Sequence, residues 1–232
     1  MQVKLKIQRF NPEKDTAPHF EEYTVESEPT DRVLDALLQV KGLLDGSLTL
    51  RKSCAHGVCG SDGMCINGRN MLACKVLVKN VAQPIVVEPL KGFKIVKDLV
   101  VDMKSFFDKY KQVQPYLINE DVEPKKERHQ TEKQRMKFED TTKCILCACC
   151  TTACPSFWAD PNYVGPAAIV QAHRFIFDSR DQGSEERLNA VDGREGVWRC
   201  RTVFNCSDAC PREIDITKAI GEVKKELLFK KL

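Results

Sequence analysis

Cys144-Ile145-Leu146-Cys147-Ala148-Cys149-Cys150-Thr151-Thr152-Ala153-Cys154-Pro155 is the stretch on which the reading of this chain turns. Taken as Cys144, Cys147, Cys150 and Cys154-Pro155, its spacing is C-x2-C-x2-C-x3-C-P. Three thiolates this close can wrap three corners of one iron–sulfur cubane within a single tight turn, while the fourth reaches a second cluster. The proline stops the chain folding back, so the fourth thiolate points away. A partner run is therefore expected. Cys200, Cys206 and Cys210-Pro211 supply it in the same frame, with Val203 where the second cysteine belongs. Crossing the fourth ligands gives one site of Cys144, Cys147, Cys150 and Cys210, which suits a 4Fe–4S cluster. The other is Cys154, Cys200 and Cys206 with an apolar side chain at its open corner, which predicts a 3Fe–4S centre.

A third group lies upstream. The spacing that holds a 2Fe–2S cluster in plant-type ferredoxins is C-x4-C-x2-C…C. Cys54, Cys59 and Cys74 fill three of its places, and the remaining one is Asp62. Two readings stand: Asp62 ligates through a carboxylate oxygen in the expected register, or Cys65 takes the place from three residues on. The plainer reading of Cys65 is a small buried residue at a strand start. Gly57, Gly60 and Gly63 suit a loop whose backbone must come close to sulfide. Cys54-Ala55-His56 contains a Cys-x-His step, but no cysteine stands two or three residues before His129 or His173, so a Rieske centre is rejected. His56 then reads as a loop residue beside the cluster or facing water.

Composition sets the frame around these groups. The 232 residues allow one large domain or two small ones, and a hydrophobic content of 42% is enough for ordinary cores. The 12 cysteines carry metal-ligand spacing and not a disulfide pattern. Structural zinc fits poorly, since it usually takes two Cys-x2-4-Cys pairs without the Cys-Pro frame. The first residues alternate like a strand and have no signal-peptide core. No stretch reaches the roughly 20 apolar residues that span a bilayer. A soluble chain in a reducing compartment is expected, and the net charge of +3 is too small to argue for nucleic acid.

Residues 3–10 and 22–27 alternate as strands do, with turn-rich residues 11–18 between them. Thr30 is the expected N-cap of a helix whose stripe is Val33, Leu34, Leu37, Leu38, Val40, Leu43 and Leu44, closing near Gly46. Residues 84–90 read as a closing strand and 99–110 as a helix. Residues 119–137, dense in charge, read as a solvated connection. Residues 165–178 suit a packed helix and 181–196 a polar loop. After Pro211, Ile216, Ala219, Ile220, Val223 and Leu227 form the apolar face of a helix that ends in basic residues. No dinucleotide fingerprint occurs, so the chain reads as a carrier of electrons.

In this order, one 2Fe–2S loop, one four-cysteine run and one run lacking a ligand resemble the iron–sulfur subunit of succinate dehydrogenase (respiratory complex II) and of fumarate reductase. Local matches include Gly57-Val58-Cys59-Gly60-Ser61-Asp62-Gly63, Leu72-Ala73-Cys74, Cys154-Pro155-Ser156-Phe157-Trp158, Gly165-Pro166-Ala167 and Asn205-Cys206. The resemblance spans nearly the whole chain. It implies an α+β fold, with a β-grasp 2Fe–2S ferredoxin domain over residues 1–105. An all-α helical ferredoxin domain over 106–232 would carry the 4Fe–4S and 3Fe–4S clusters. It implies Asp62 as a ligand, because some members carry Asp there, and Cys149 as a non-ligand. Implied partners are an FAD-bearing catalytic subunit and membrane anchor subunits, haem-bearing in one reading. The implied location is the cytoplasmic face of the bacterial inner membrane, held through those anchors. The implied electron path runs from flavin through 2Fe–2S, 4Fe–4S and 3Fe–4S to a quinone lined by Pro155, Ser156, Trp158 and Val203. Two departures fall beside that pocket. Relatives often carry Trp-Trp where this chain has Trp158-Ala159, and His where it has Arg201. They fit a different quinone, such as menaquinone, or altered contacts to the anchor haem; Trp158 also reads as a packing residue. Fumarate reduction is the alternative within the family, with Asp62 leaning towards succinate oxidation. A free ferredoxin-like carrier is the alternative outside it, disfavoured by the length and the basic helical tail.

Overall fold

A computed structural model describes residues 1–230. Contacts divide the chain into two compact units: Met1–Met103 with Ile145–Ala153, and Lys104–Cys144 with Cys154 onward.

The first unit is built on a five-stranded sheet. Strand β1 (Gln2–Arg9) turns Val3, Leu5 and Ile7 inward, each wholly buried, as the period-two alternation requires. Full burial of each such side chain is worth about 1.5–3 kcal/mol. Strand β2 (His19–Glu26) pairs antiparallel with β1, from Gln2↔Glu26 to Arg9↔His19. Helix α1 (Val33–Gln39) buries Val33, Leu34, Ala36 and Leu37. Strands β3 (Gly63–Ile66) and β4 (Arg69–Leu72) form a hairpin around Asn67-Gly68, both at positive φ. Strand β5 (Ile85–Glu88) then enters the centre, parallel to β1 and antiparallel to β3. The order β2-β1-β5-β3-β4 is that of a β-grasp sheet, with α1 on the crossover that the parallel pair demands.

Three local expectations change here. The N-cap of α1 is Arg32 and not Thr30. Arg32 bridges Leu77 and the Val33 N–H donates to the Val76 carbonyl, so the chain stays extended until residue 33. The Asp35 carboxylate then accepts from the Arg32 N–H at 2.9 Å. Beyond Gln39 the helix widens into a π turn over Val40–Leu44. That rotates Leu43 and Leu44 out of the stripe, leaving them 78% and 56% exposed. Finally, residues 99–101 are not helical. Strands β6 (Ile95–Lys97) and β7 (Val100–Val101) pair across Asp98, whose φ is 45°. The Asp98 carboxylate accepts from Thr49 N–H at 2.8 Å and from Arg9 Nε at 3.0 Å, which fixes that turn.

The second unit is helical. Helix α2 (Lys104–Gln112) opens it. The charged connection holds one short helix, α3 (Glu132–Met136), where Thr131 and Gln134 form a reciprocal capping box. Helix α4 (Cys149–Thr152) belongs to the first unit. Helices α5 (Pro155–Ala159) and α6 (Pro166–Ile176) follow, each with proline in its first turn. All of α6 except Arg174 is buried, as suits a helix that is apolar nearly all round. Residues 181–196 are not a simple loop, because they contain helix α7 (Ser184–Val191). It packs Leu188 and Val191 inward, and the buried Arg187 guanidinium is fully engaged, so polarity misled the sequence reading. Helices α8 (Asn205–Asp208) and α9 (Ile216–Lys230) complete the unit. The expected basic end of α9 includes Lys231, which lies outside the described residues. The whole is an α+β chain, a β-grasp unit followed by a helical ferredoxin unit.

Candidate metal centres

In the first unit, the loop after Arg51 curls by repeated left-handed steps at Ala55, Gly57 and Gly60, with φ of 60°, 78° and 69°. These steps turn backbone N–H groups inward. His56 and Cys59 donate to the Cys54 sulfur at 3.5 and 3.3 Å. Such bonds, first from His56 and then from Val58, bring the Cys54 pKa down to about 6. Cys59 Sγ lies 3.2 Å from Ser61 Oγ. Asp62 is only 3% exposed and accepts from the Cys74 N–H at 2.6 Å. Burial first, then the hydrogen bond with Asp62, pushes the Cys74 thiol up to about 12. Cys54 also acts on Cys74 electrostatically, so Cys54, Cys59, Asp62 and Cys74 come together. Cys65 does not join them. It is 1% exposed on β3, with its thiol 3.8 Å from Glu88 Oε2, and burial raises its pKa.

Gly60 marks a close approach. A Cβ there would stand 2.8 Å from the Cys147 Cβ, too near to be accommodated. The same segment is tied to β4, where Asn70 Nδ2 donates to the Cys149 carbonyl at 3.1 Å and to Thr152 Oγ1 at 2.9 Å. The Cys149 thiol hydrogen-bonds Cys147 and lowers its pKa.

The two cysteine runs share one backbone. Each follows a short 3-10 turn, Asp140–Lys143 or Val197–Arg199. Cys144 and Cys200 then have φ/ψ of −62/125° and −64/124°. Two residues on, Leu146 and Thr202 have φ of 54° and 56°, and two further on, Ala148 and Phe204 both have 63°. Helices α4 and α8 start next and end on Ala153 and Ala209 before Cys154-Pro155 and Cys210-Pro211. In this shared frame Val203 stands where Cys147 stands. Non-glycine residues in left-handed geometry cost on the order of 1–2 kcal/mol each, so four of them at matching places mark a geometry that the two runs share. Nothing in the residue types announced them, since no glycine occupies these positions.

Within the second unit, Cys154, Cys200 and Cys206 line one small, partly open pocket. Burial first, then Cys154 and Cys200, pushes the Cys206 thiol up to about 12. Pro155, Ser156 and Val203 line this pocket, as does Arg201. Trp158 does not; it is 55% exposed on α5. Tyr163, wholly buried, lines the pocket although the sequence reading passed over it. Its signal was its place just before the Gly165-Pro166 helix start. Cys144 and Cys210 belong to the second unit, Cys147 and Cys150 to the first.

None of the twelve cysteines is in a disulfide. Among the described residues no three ligating side chains converge as a lone metal ion needs. A cluster stands its ligands round several irons and bridging sulfides, and so spreads them wider. Thiols with one carboxylate, inward N–H groups and a glycine that admits no Cβ form a donor set that fits iron–sulfur clusters.

Residues 4–108 match the family described as a 2Fe-2S iron-sulfur cluster binding domain, and residues 136–211 the one described as a 4Fe-4S dicluster domain. The succinate dehydrogenase iron-sulfur subunit of Coxiella burnetii is 44% identical over 224 residues, covering 96% of this chain and 95% of that protein. The mitochondrial succinate dehydrogenase (ubiquinone) iron-sulfur subunit 1 of Oryza sativa subsp. japonica is 43% identical over 224 residues, covering 94% and 80%. Among solved structures, a chain of the Mycobacterium smegmatis Sdh1 complex in the apo form superposes with a TM-score of 0.90 at 25% identity, covering 99% of this chain and 97% of that one.

Proposed function

This chain belongs to the iron–sulfur subunits of succinate dehydrogenase, and we propose that it relays single electrons from the FAD of a catalytic partner subunit to a membrane quinone. When bound, the clusters supply one-electron steps between a two-electron flavin and a quinone that takes two electrons and two protons. Cys54, Cys59, Asp62 and Cys74 would hold the 2Fe–2S cluster, first after the flavin. Cys144, Cys147, Cys150 and Cys210 would hold the 4Fe–4S cluster, and Cys154, Cys200 and Cys206 the 3Fe–4S cluster that faces quinone. On this reading residues 1–105 form the 2Fe–2S domain and 106–232 the helical one.

One observation carries the assignment of unlike clusters: the second run repeats the backbone of the first with Val203 in a ligand's place. The inward N–H groups at Cys54 favour its thiolate, and the hard oxygen of Asp62 would shift the first cluster's potential relative to four thiolates. Pro155, Ser156 and Val203 would form the quinone side of the three-thiol pocket, and Trp158, exposed on α5, would lie outside it. Among the described residues no helix is long and apolar enough to cross a membrane. Anchor subunits, with or without haem, would hold the chain at the cytoplasmic face of the inner membrane. Low-temperature electron paramagnetic resonance on the native complex tests the reading. A three-iron signal in the oxidised state, joined by a 2Fe–2S signal after succinate, is expected. Two four-iron clusters, or no response to succinate, would overturn it.

A further inference from the structure

Lys109 on α2 reaches the connection between α5 and α6. Its Nζ donates to the Tyr163 carbonyl at 2.8 Å and to the Pro161 carbonyl. The ammonium also lies 5.2 Å from the centre of the Phe157 ring on α5. Burial pushes its pKa below the usual lysine value, against the opposing pull of Asp160 and Glu195. One half-buried cation thus holds α5 and both sides of Asn162. Charge-assisted bonds of this kind are the stronger class of hydrogen bond.

What it holds is a wall of the three-thiol pocket. Pro155 and Ser156 line the pocket at one end of the segment, and Tyr163 and Pro166 at the other. The segment between α5 and α6 carries no regular structure. Further ties run to the stretch before Cys200: Ser156 Oγ to the Arg199 carbonyl at 3.0 Å, Arg199 to Asp160 at 3.3 Å, and Val164 N–H to the Glu195 carbonyl at 2.8 Å. Lys109 ties the segment to a different element, α2.

We propose that Lys109 is a positioning residue for the quinone-facing pocket, setting where Ser156 and Tyr163 stand against Cys154, Cys200 and Cys206. This rests on the reading of that pocket as the electron exit. Reacting groups misplaced by about 1 Å can lose on the order of a hundredfold in rate, so a relaxed wall is expected to be visible in acceptor kinetics.

The test uses the assembled complex with K109M, which keeps the apolar stem and removes the donors, and K109R, which keeps charge and donors. Short-chain benzoquinone and naphthoquinone serve as acceptors in turn. K109M is expected to raise the acceptor KM by roughly tenfold, with a smaller change in kcat, and to broaden the three-iron resonance while leaving the 2Fe–2S signal unchanged. K109R is expected to recover most of both. Wild-type KM and line shape in K109M would overturn the proposal. So would equal broadening of the 2Fe–2S signal, which would mean a general structural role. Should K109M fail to assemble, K109Q retains two N–H donors without the charge, and an intermediate shift supports the proposal while no shift refutes it. A wild-type complex lacking any three-iron signal would instead refute the cluster assignment on which it stands.

Discussion

Replacing Arg187 by methionine should loosen the helical unit by a calculable amount. The Arg187 guanidinium donates to Asp181 Oδ1 at 2.5 Å, to the Gln114 carbonyl at 3.1 Å and to the Tyr116 carbonyl at 2.7 Å, and lies 5.0 Å from the Phe175 ring centre. Both side chains of the ion pair are 0% exposed. A buried pair is worth little against an apolar replacement of both partners, but breaking it from one side strands a buried charge at about 3–5 kcal/mol. Asp181 would keep the N–H groups of Ile118 at 2.9 Å and Gly183 at 2.7 Å, which argues for the lower end, about 3 kcal/mol. Local opening should then be roughly 150-fold more populated. Native-state hydrogen exchange on the assembled complex reads this directly, in peptides covering residues 114–118 and 181–188. Adding Asp181→Asn should recover part of the loss by removing the stranded charge. Acceleration of less than about threefold in R187M, or no recovery in the double variant, would refute the reasoning.

Cys65→Ala should leave the 2Fe–2S spectrum unchanged and cost about 1 kcal/mol of stability, since its buried thiol faces Glu88 and not the other cysteines; a changed spectrum would make Cys65 a ligand. Val203→Cys should place a thiolate at the frame position of Cys147, abolish the oxidised three-iron resonance and add one iron per chain by analysis, whereas persistence of the resonance would contradict the shared frame. His173, buried on α6 between Thr141 Oγ1 at 3.3 Å and Glu222 Oε2 at 2.7 Å, has its pKa lowered by burial despite Glu222, with Lys218 also lowering it and Asp140 opposing. A depressed folded value means a contribution that is present above the ordinary imidazole range and declines as pH falls towards the folded value. Thermal stability should therefore drop between pH 7 and pH 5 more steeply in wild type than in H173Q, and parallel curves would exclude His173 as the cause.

Where one physical requirement dominates, the sequence was legible. β1 and β2 follow from alternation, α6 and α9 from apolar spacing, and the cysteine frames from the fixed geometry of clusters. The misses have local causes of a different kind. The start of α1 is set by a bridge from Arg32 to Leu77, forty-five residues away, which no window around Thr30 contains. α7 hid because its buried arginine is satisfied by carbonyls at Gln114 and Tyr116 in another segment. In the cysteine runs, spacing was readable, but the left-handed turns at Leu146, Ala148, Thr202 and Phe204 were not, since residue type would place glycine there. Of the residues expected at the quinone, Trp158 stands apart from the pocket because α5 turns it outward, a matter of helical phase that the motif alone does not fix.

The segment Ile145–Ala153 belongs to the first unit although it follows Met103 by some forty residues of the second. During synthesis the β-grasp sheet can pair as soon as β5 emerges, yet its unit is not complete. At roughly 5–20 residues per second, the fifty residues from Met103 to Ala153 take about 3–10 s more. Through that interval Gly60 lacks its neighbour Cys147 and Asn70 lacks its acceptors. The loop carrying Cys54 and Cys59 is thus open on one side for seconds, until the returning segment closes it.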